Sequence, residues 1–119
     1  CRAVGQHLAA LPVRYKCILQ DEAKALIDAA NNCVVLDVRT FEEFRSAHIA
    51  GAILIPDYEI FDRAEAELTD KSQLILVYCR SGRRSKAAAA VLTMLGYSNV
   101  MEFGGIIDWP YGVVSDVDA

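Results

Sequence analysis

Two runs in this sequence, 33–38 (CVVLDV) and 73–78 (QLILVY), are apolar at nearly every position and rich in β-branched side chains. A strand with one wet face alternates polar and apolar residues; a strand covered on both faces does not. Two such runs therefore call for the interior of a parallel sheet with helices packed above and below. The intervening segments fit that demand. A short strand is predicted at 15–19. A helix at 21–30 follows, with Ala23, Leu26, Ile27 and Ala30 on one face and Asn31-Asn32 suited to its C-terminus. Thr40, with Glu43 three residues on, reads as a capping box opening a short helix through Phe41 and Phe44. A third strand, 52–55, is stopped by Pro56. Asp57 is expected to cap a helix over 58–68, on which Ile60, Phe61, Ala64 and Leu68 share a face. A helix over 85–95 closes at Gly96, a strand spans 99–103, and a turn or short helix ends the pattern at 106–111. Strands alternating with helices in this way predict an α/β fold, a five-stranded parallel sheet flanked by helices on both faces, with right-handed crossovers. Residues 1–13 show no period and are expected to be a tail, with 14–119 as one domain.

Composition narrows the function. The 119 residues are 54% hydrophobic and 24% charged, a balance that supports one packed core, and the formal net charge is −4. That charge argues against binding nucleic acid through bulk electrostatics. The longest apolar run, 87–95, is too short to cross a bilayer, so no membrane span is expected. The chain opens at Cys1 without a charged and hydrophobic leader. The four cysteines, Cys1, Cys17, Cys33 and Cys79, include no C-x-x-C pair, and His7 and His48 complete no metal-ligand set, so no metal is expected. Cys17 and Cys33 lie in apolar segments and read as small buried hydrophobes in a core that needs no disulfide.

Against the acidic background, the stretch VYCRSGRRSK stands out. Cys79 ends the second apolar run, and Arg80, Ser81, Gly82, Arg83, Arg84 and Ser85 follow before the helix starts. In parallel α/β sheets ligands bind beyond the carboxyl ends of the strands, where this cysteine falls. A thiolate is the reactive form of cysteine, and nearby cations and a helix N-terminus favour it. A tight turn with Gly82 at its middle can aim successive N–H groups inward as an anion nest. The plainer reading is solvated arginines beside a strand-end core residue; three arginines within five positions favour the anion site. A phosphate-binding P-loop is excluded because the Gly-Lys-Ser/Thr ending is missing. A cysteine-dependent phosphatase loop has the form Cys-x5-Arg, but position 85 is Ser and Arg84 makes this Cys-x4-Arg. The shorter loop disfavours a tetrahedral phosphoester.

The loop CRSGRRS resembles the active-site loop of the rhodanese family of thiosulfate sulfurtransferases. The upstream stretch LDVRTFEEFRSAHIAGAILIP at 36–56 and the ending FGGIIDWP at 103–110 are similar to that family too. Together they cover about residues 15–112. One departure is Ala47, where the family usually has Gly before the histidine.

The resemblance implies a double displacement through a Cys79 persulfide, with sulfane sulfur taken from thiosulfate or a similar small anionic donor. It passes to cyanide or to a thiol, which includes a thiol protein, and no cofactor beyond the persulfide is implied. Loop N–H groups of 80–85 and the arginines are the expected substrate contacts. Arg80 and Arg83 lead these contacts, Arg84 either joins them or turns inward, and Ser85 is expected to cap the helix, with a hydrogen bond to the sulfur as its alternative role. Asp37 and Arg39 are expected to be a structural pair near the loop, and His48 to sit in a structural turn. A non-catalytic binding or sulfur-carrier module, and an arsenate reductase or phosphatase, are the alternatives. The chemistry suits a cytoplasmic protein, and an exported or lipoprotein form stays open.

Overall fold

The computed structural model describes residues 15–29 and 32–116; the expected 1–13 tail lies outside the described residues, as do Ala30 and Asn31 of the first predicted helix and its end. Five strands run in chain order: β1 Lys16–Cys17, β2 Cys33–Asp37, β3 Ile53–Leu54, β4 Leu74–Cys79 and β5 Val100–Gly105. They form one sheet in the order β1-β5-β4-β2-β3, and every pairing is parallel. The helices are α1 Gln20–Ala29, α2 Phe41–Ser46, α3 Ile60–Glu67 and α4 Arg83–Met94, with short 3-10 turns at Asp57–Glu59 and Ile106–Asp108. This is the predicted five-stranded parallel α/β fold.

The two unbroken apolar runs are β4, the central strand, and its interior neighbour β2, in register from Cys33 opposite Leu74 to Asp37 opposite Tyr78. Their side chains divide between two cores, as the alternation of a strand requires. Ile75, Val77 and Cys79 of β4 pack with Ala64, Ala88, Ala89 and Leu92 of α3 and α4. Leu76 and Tyr78 face the other way, toward Ala23 of α1, Phe103 and Trp109. Each fully buried Leu or Ile contributes about 1.5–3 kcal/mol relative to exposure, so the central strands dominate the stability of the sheet. Tyr97, buried between α3 and α4, holds its hydroxyl 3.0 and 2.6 Å from the carbonyls of Ala64 and Leu68; Ala64 O already accepts from Leu68 N–H, so the hydroxyl serves chiefly Leu68 O at the end of α3.

Four local expectations are corrected. Asp57 does not cap α3: the segment begins as a 3-10 turn on Pro56, whose carbonyl accepts from Glu59 N–H, and no side chain caps the helix. α4 starts at Arg83, not Ser85, because Gly82 at φ 106° reverses the chain one step earlier. β5 runs on to Gly105, through a bulge that sets Val77 opposite Glu102 but Cys79 opposite Gly105. Cys17 is half-buried and disulfide-bonded, whereas Cys33 and Cys79 are free thiols. It lies on a two-residue edge strand, where little packing is available and a covalent tie restrains the unfolded chain instead.

Asn32 enters β2 in the left-handed region at φ 59°, the turn conformation that asparagine tolerates best. No helix among the described residues is long and apolar enough to cross a membrane.

Candidate active site

Because all five strands are parallel, their carboxyl ends share one edge of the sheet. Cys79 is the last residue of β4, the middle strand, and is almost fully buried. The chain leaves it through Arg80 and Ser81, turns at Gly82 and enters α4 at Arg83. Gly82 N–H points back and donates to Cys79 Sγ at 3.0 Å. The positive end of α4 thus begins within three residues of the sulfur, and one of its leading N–H groups already addresses it.

β5 supplies the floor of this turn. A Cβ on Gly105 would lie 2.0 Å from Arg80 O and 2.5 Å from Ser81 Cα, so only glycine permits the contact. Arg80 O also accepts from Ile107 N–H at 3.1 Å. Beside it, Glu102 is buried, and its Oε2 accepts from Ser85 Oγ and from Gly104 N–H. Ser85, expected as a cap, is instead buried inside the first turn of α4 with its hydroxyl on this carboxylate.

The four cations of the loop have different fates. Arg84 turns inward, and its Nη1 and Nη2 donate to Glu43 Oε1 and Oε2 at 2.8 and 3.0 Å. Glu43 belongs to the capping box of α2, where it also accepts from Thr40 N–H while Thr40 Oγ1 accepts from Glu43 N–H. The Arg84 hydrogen bonds hold the Glu43 carboxyl at about 2, well below its ordinary value. The Arg84 guanidinium is raised in turn, first by Glu43, with the charges of Cys79 and Asp57 adding to the effect. Lys86 Nζ lies 3.5 Å from Glu102 Oε1 and donates to Gly82 O at 3.3 Å. Arg80 and Arg83 are exposed and form no ion pair among the described residues. Two charges brace the loop and two are left facing solvent beside the thiol.

Asp37 and Arg39 form a buried pair at the end of β2: Arg39 Nη2 lies 2.7 Å from Asp37 Oδ2, and Nε donates to both carboxylate oxygens. Arg39 also donates to Ala47 O. Ala47 itself is extended at φ −169°, a conformation open to any residue, so no glycine is required there. Tyr78 packs over this pair and accepts from Ile49 N–H at 3.0 Å; burial, followed by the Asp37 charge, pushes its phenol well above the ordinary range. His48 stacks on Phe44 and uses Nδ1 on Phe44 O, 2.8 Å away, while its backbone bridges to Val114. That is a structural turn. Trp109 packs on Phe103 and Tyr111.

Sequence reasoning missed the partnership of Glu43 with Arg84, and it missed Glu102. The first needs two segments 41 residues apart to meet, which no local pattern announces. The second did leave a signal: a lone acid in the apolar strand VMEF, directly before Gly104-Gly105. Buried acids are rare without partners, and such a position invites a search for one.

A rhodanese-like domain model matches residues 19–109. The chain is 38% identical over 73 residues to the thiosulfate sulfurtransferase PspE of Escherichia coli K12, an alignment covering 61% of this chain and 70% of that protein. It is 37% identical over 87 residues to the putative sulfur carrier protein YrkF of Bacillus subtilis, covering 72% of this chain but only 46% of the relative. A solved rhodanese with anions from E. coli superposes with a TM-score of 0.65 at 35% identity, covering 70% of this chain and 98% of that one. With a family model matched across most of its length and a parallel sheet that presents a cysteine loop at its carboxyl edge, this chain belongs to the rhodanese-like domain family of sulfurtransferases.

Proposed function

We propose that the protein moves sulfane sulfur from thiosulfate, or a small anionic donor like it, to a thiol or cyanide through a persulfide on Cys79. The observation that carries this reading is the Gly82 N–H on Cys79 Sγ at the start of α4, with Arg80 and Arg83 exposed alongside and in no ion pair among the described residues. An anionic sulfur is stabilised there by a fixed N–H and a helix end, and covalent catalysis by cysteine needs that form.

The Cys79 thiolate attacks the outer sulfur of thiosulfate. The S–S bond of the donor breaks, sulfite leaves with the electron pair, and the sulfur stays on Cys79. Arg80 and Arg83 offset the donor's two negative charges as it approaches a chain that is negative overall. In the second half an acceptor thiolate or cyanide attacks the terminal sulfur, and Cys79 departs as thiolate. No external oxidant or reductant enters. The names of the relatives support sulfur transfer, and PspE supports thiosulfate as donor. The Cys17 disulfide fits an oxidising compartment, so we favour an exported form over the cytoplasmic one.

Incubation with thiosulfate followed by intact mass measurement should show a gain of one sulfur atom. Cyanide should then remove it as thiocyanate, and Cys79→Ser should show neither event. If wild-type protein gains no mass and forms no thiocyanate, the reading is wrong. If the persulfide forms but neither cyanide nor thiols discharge it, the protein is a carrier and not a turnover enzyme.

A further inference from the structure

The cysteine loop rests on the end of β5, and one side chain from outside that strand holds this end in place. β1 follows β5 only as far as Cys17 opposite Glu102 and Ile18 N–H on Glu102 O, then leaves the sheet for α1. From there the side chain of Gln20, the first residue of α1, takes over. Its Nε2 donates to Phe103 O at 3.1 Å and to Gly105 O at 2.9 Å, the carbonyls on either side of Gly104. The stretch it grips is the bulge, where Val77 stands opposite Glu102 but Cys79 opposite Gly105, and where Gly104 is left-handed at φ 93°. A Cβ on Gly104 would meet Gln20 Nε2 at 3.3 Å, so the amide lies close against the bulge.

The bulge in turn orients the loop. Gly105 lies against Arg80 O and Ser81 Cα, and Arg80 O accepts from Ile107 N–H. A trans peptide is planar, so fixing Arg80 O on this side turns Ser81 N–H away from β5. The next N–H, of Gly82, is the one on Cys79 Sγ. Gln20 thus reaches the thiol through the bulge and one peptide plane without touching the site.

As a stabilising group the amide is poorly served. Two carbonyl acceptors require its N–H end, and Gln20 Oε1 is left buried with no hydrogen-bond partner among the described residues. A buried acceptor without a partner offsets most of what two donated bonds contribute. Gln20 also lines a cleft of about 530 Å³ bordered by Lys86, Glu102 and Gly104, outside the two packed cores. A contact that adds little stability yet fixes a peptide beside the nucleophile serves position. Resting on the sulfur-transfer reading above, we propose that Gln20 is a positioning residue for the reaction of Cys79. It holds the β5 bulge, and through it the Arg80–Ser81 peptide, so that the loop N–H groups meet the charge that moves between sulfurs as the donor bond breaks. The exposed arginines act earlier, on the approach of the donor.

Gln20→Met keeps the length of the side chain and removes both donors. Its maximal rate of sulfur loading at saturating thiosulfate, read by intact mass in quenched samples, should fall about tenfold. The thiosulfate concentration giving half that rate should stay within about twofold, and the unfolding midpoint within about 3 °C. Gln20→Lys, whose ammonium again offers donors to the two carbonyls, should recover most of the maximal rate. Hydrogen exchange reads the link without chemistry: the Ile107 amide, held on Arg80 O, should exchange about tenfold faster in Gln20→Met than in wild type. If wild-type protein takes no sulfur from thiosulfate, the functional reading fails and the exchange comparison alone decides whether Gln20 positions the loop. A Gln20→Met variant with the wild-type maximal rate, or with wild-type exchange at Ile107, would overturn the proposal. So would a midpoint that falls by more than about 3 °C together with the rate, or a Gln20→Lys variant no faster than Gln20→Met, since either makes Gln20 a stabilising contact only.

Discussion

Arg84 and Glu43 meet end-on, Nη1 on Oε1 at 2.8 Å and Nη2 on Oε2 at 3.0 Å, and this pair fastens the cysteine loop to the cap of α2. Glu43 titrates at about 2 in the fold against an ordinary 4.5. A carboxyl depressed on folding contributes stability that is complete above its unfolded value and lost as pH falls through the folded one. Urea unfolding followed from pH 6 downward should therefore show stability falling between pH 4.5 and 2. Glu43→Gln should flatten that part of the profile and cost about 1 kcal/mol at neutral pH, as expected for a partly exposed bidentate pair. An unaltered acid profile in Glu43→Gln would show that the pair does not brace the loop.

Arg80 and Arg83 are exposed and unpaired among the described residues, so their replacement disturbs no ion pair of the fold. Arg80→Ala and Arg83→Ala should each raise KM for thiosulfate by about three- to tenfold, while unfolding midpoints move by no more than about 2 °C. The wild-type KM should also rise with ionic strength, and less steeply in the double variant, because screening weakens the same attraction. Steady-state kinetics at two salt concentrations checks both points. A KM unchanged in the double variant would remove the electrostatic part of the mechanism.

The fold was legible because its signals are local. Unbroken apolar runs place β2 and β4 in the interior, Thr40 with Glu43 announces α2, and Gly96 at φ 101° ends α4 as glycine does. The position of Cys79 at a carboxyl edge followed from topology alone. What could not be read was whatever depends on partners distant in sequence. Ser85 has the composition of a cap, yet the left-handed turn at Gly82 shifts the helix start and buries the hydroxyl on Glu102, 17 residues away. Arg84 looks like its neighbours Arg80 and Arg83 in sequence, and only the approach of α2 separates their roles in the structure. Cys17 has the apolar neighbours of a core residue, but a two-residue edge strand gives it little core to enter.

Gly105 has no room for a methyl group, since its Cβ would lie 2.0 Å from Arg80 O. The obstacle is backbone, so no side-chain rotation relieves it. Gly105→Ala should push the loop off the end of β5, costing about 3 kcal/mol by the usual scale of overpacking and slowing persulfide formation at the same time. Thermal unfolding and the rate of sulfur loading read the two effects separately. A variant with the wild-type midpoint and loading rate would mean that the loop does not depend on this contact.

Glu102 is a buried carboxylate placed behind an anion-attracting loop, where its charge opposes the donor's. It accepts from Ser85 Oγ and Gly104 N–H and lies 3.5 Å from Lys86 Nζ, so it holds the first turn of α4 to β5 and also offsets a loop cation. The two roles separate by substitution. Glu102→Ala leaves a buried hydroxyl and N–H without that acceptor, at about 1–3 kcal/mol each. Glu102→Gln keeps an acceptor oxygen but removes the charge, which leaves Lys86 as a further cation near the thiol. Stability should therefore fall more in Glu102→Ala than in Glu102→Gln. The KM for thiosulfate should drop in Glu102→Gln by about two- to fivefold, the effect of one charge at short range in a partly solvated site. A KM that rises in Glu102→Gln would mean that the carboxylate serves the anion site as a scaffold alone, with its charge playing no part in donor binding.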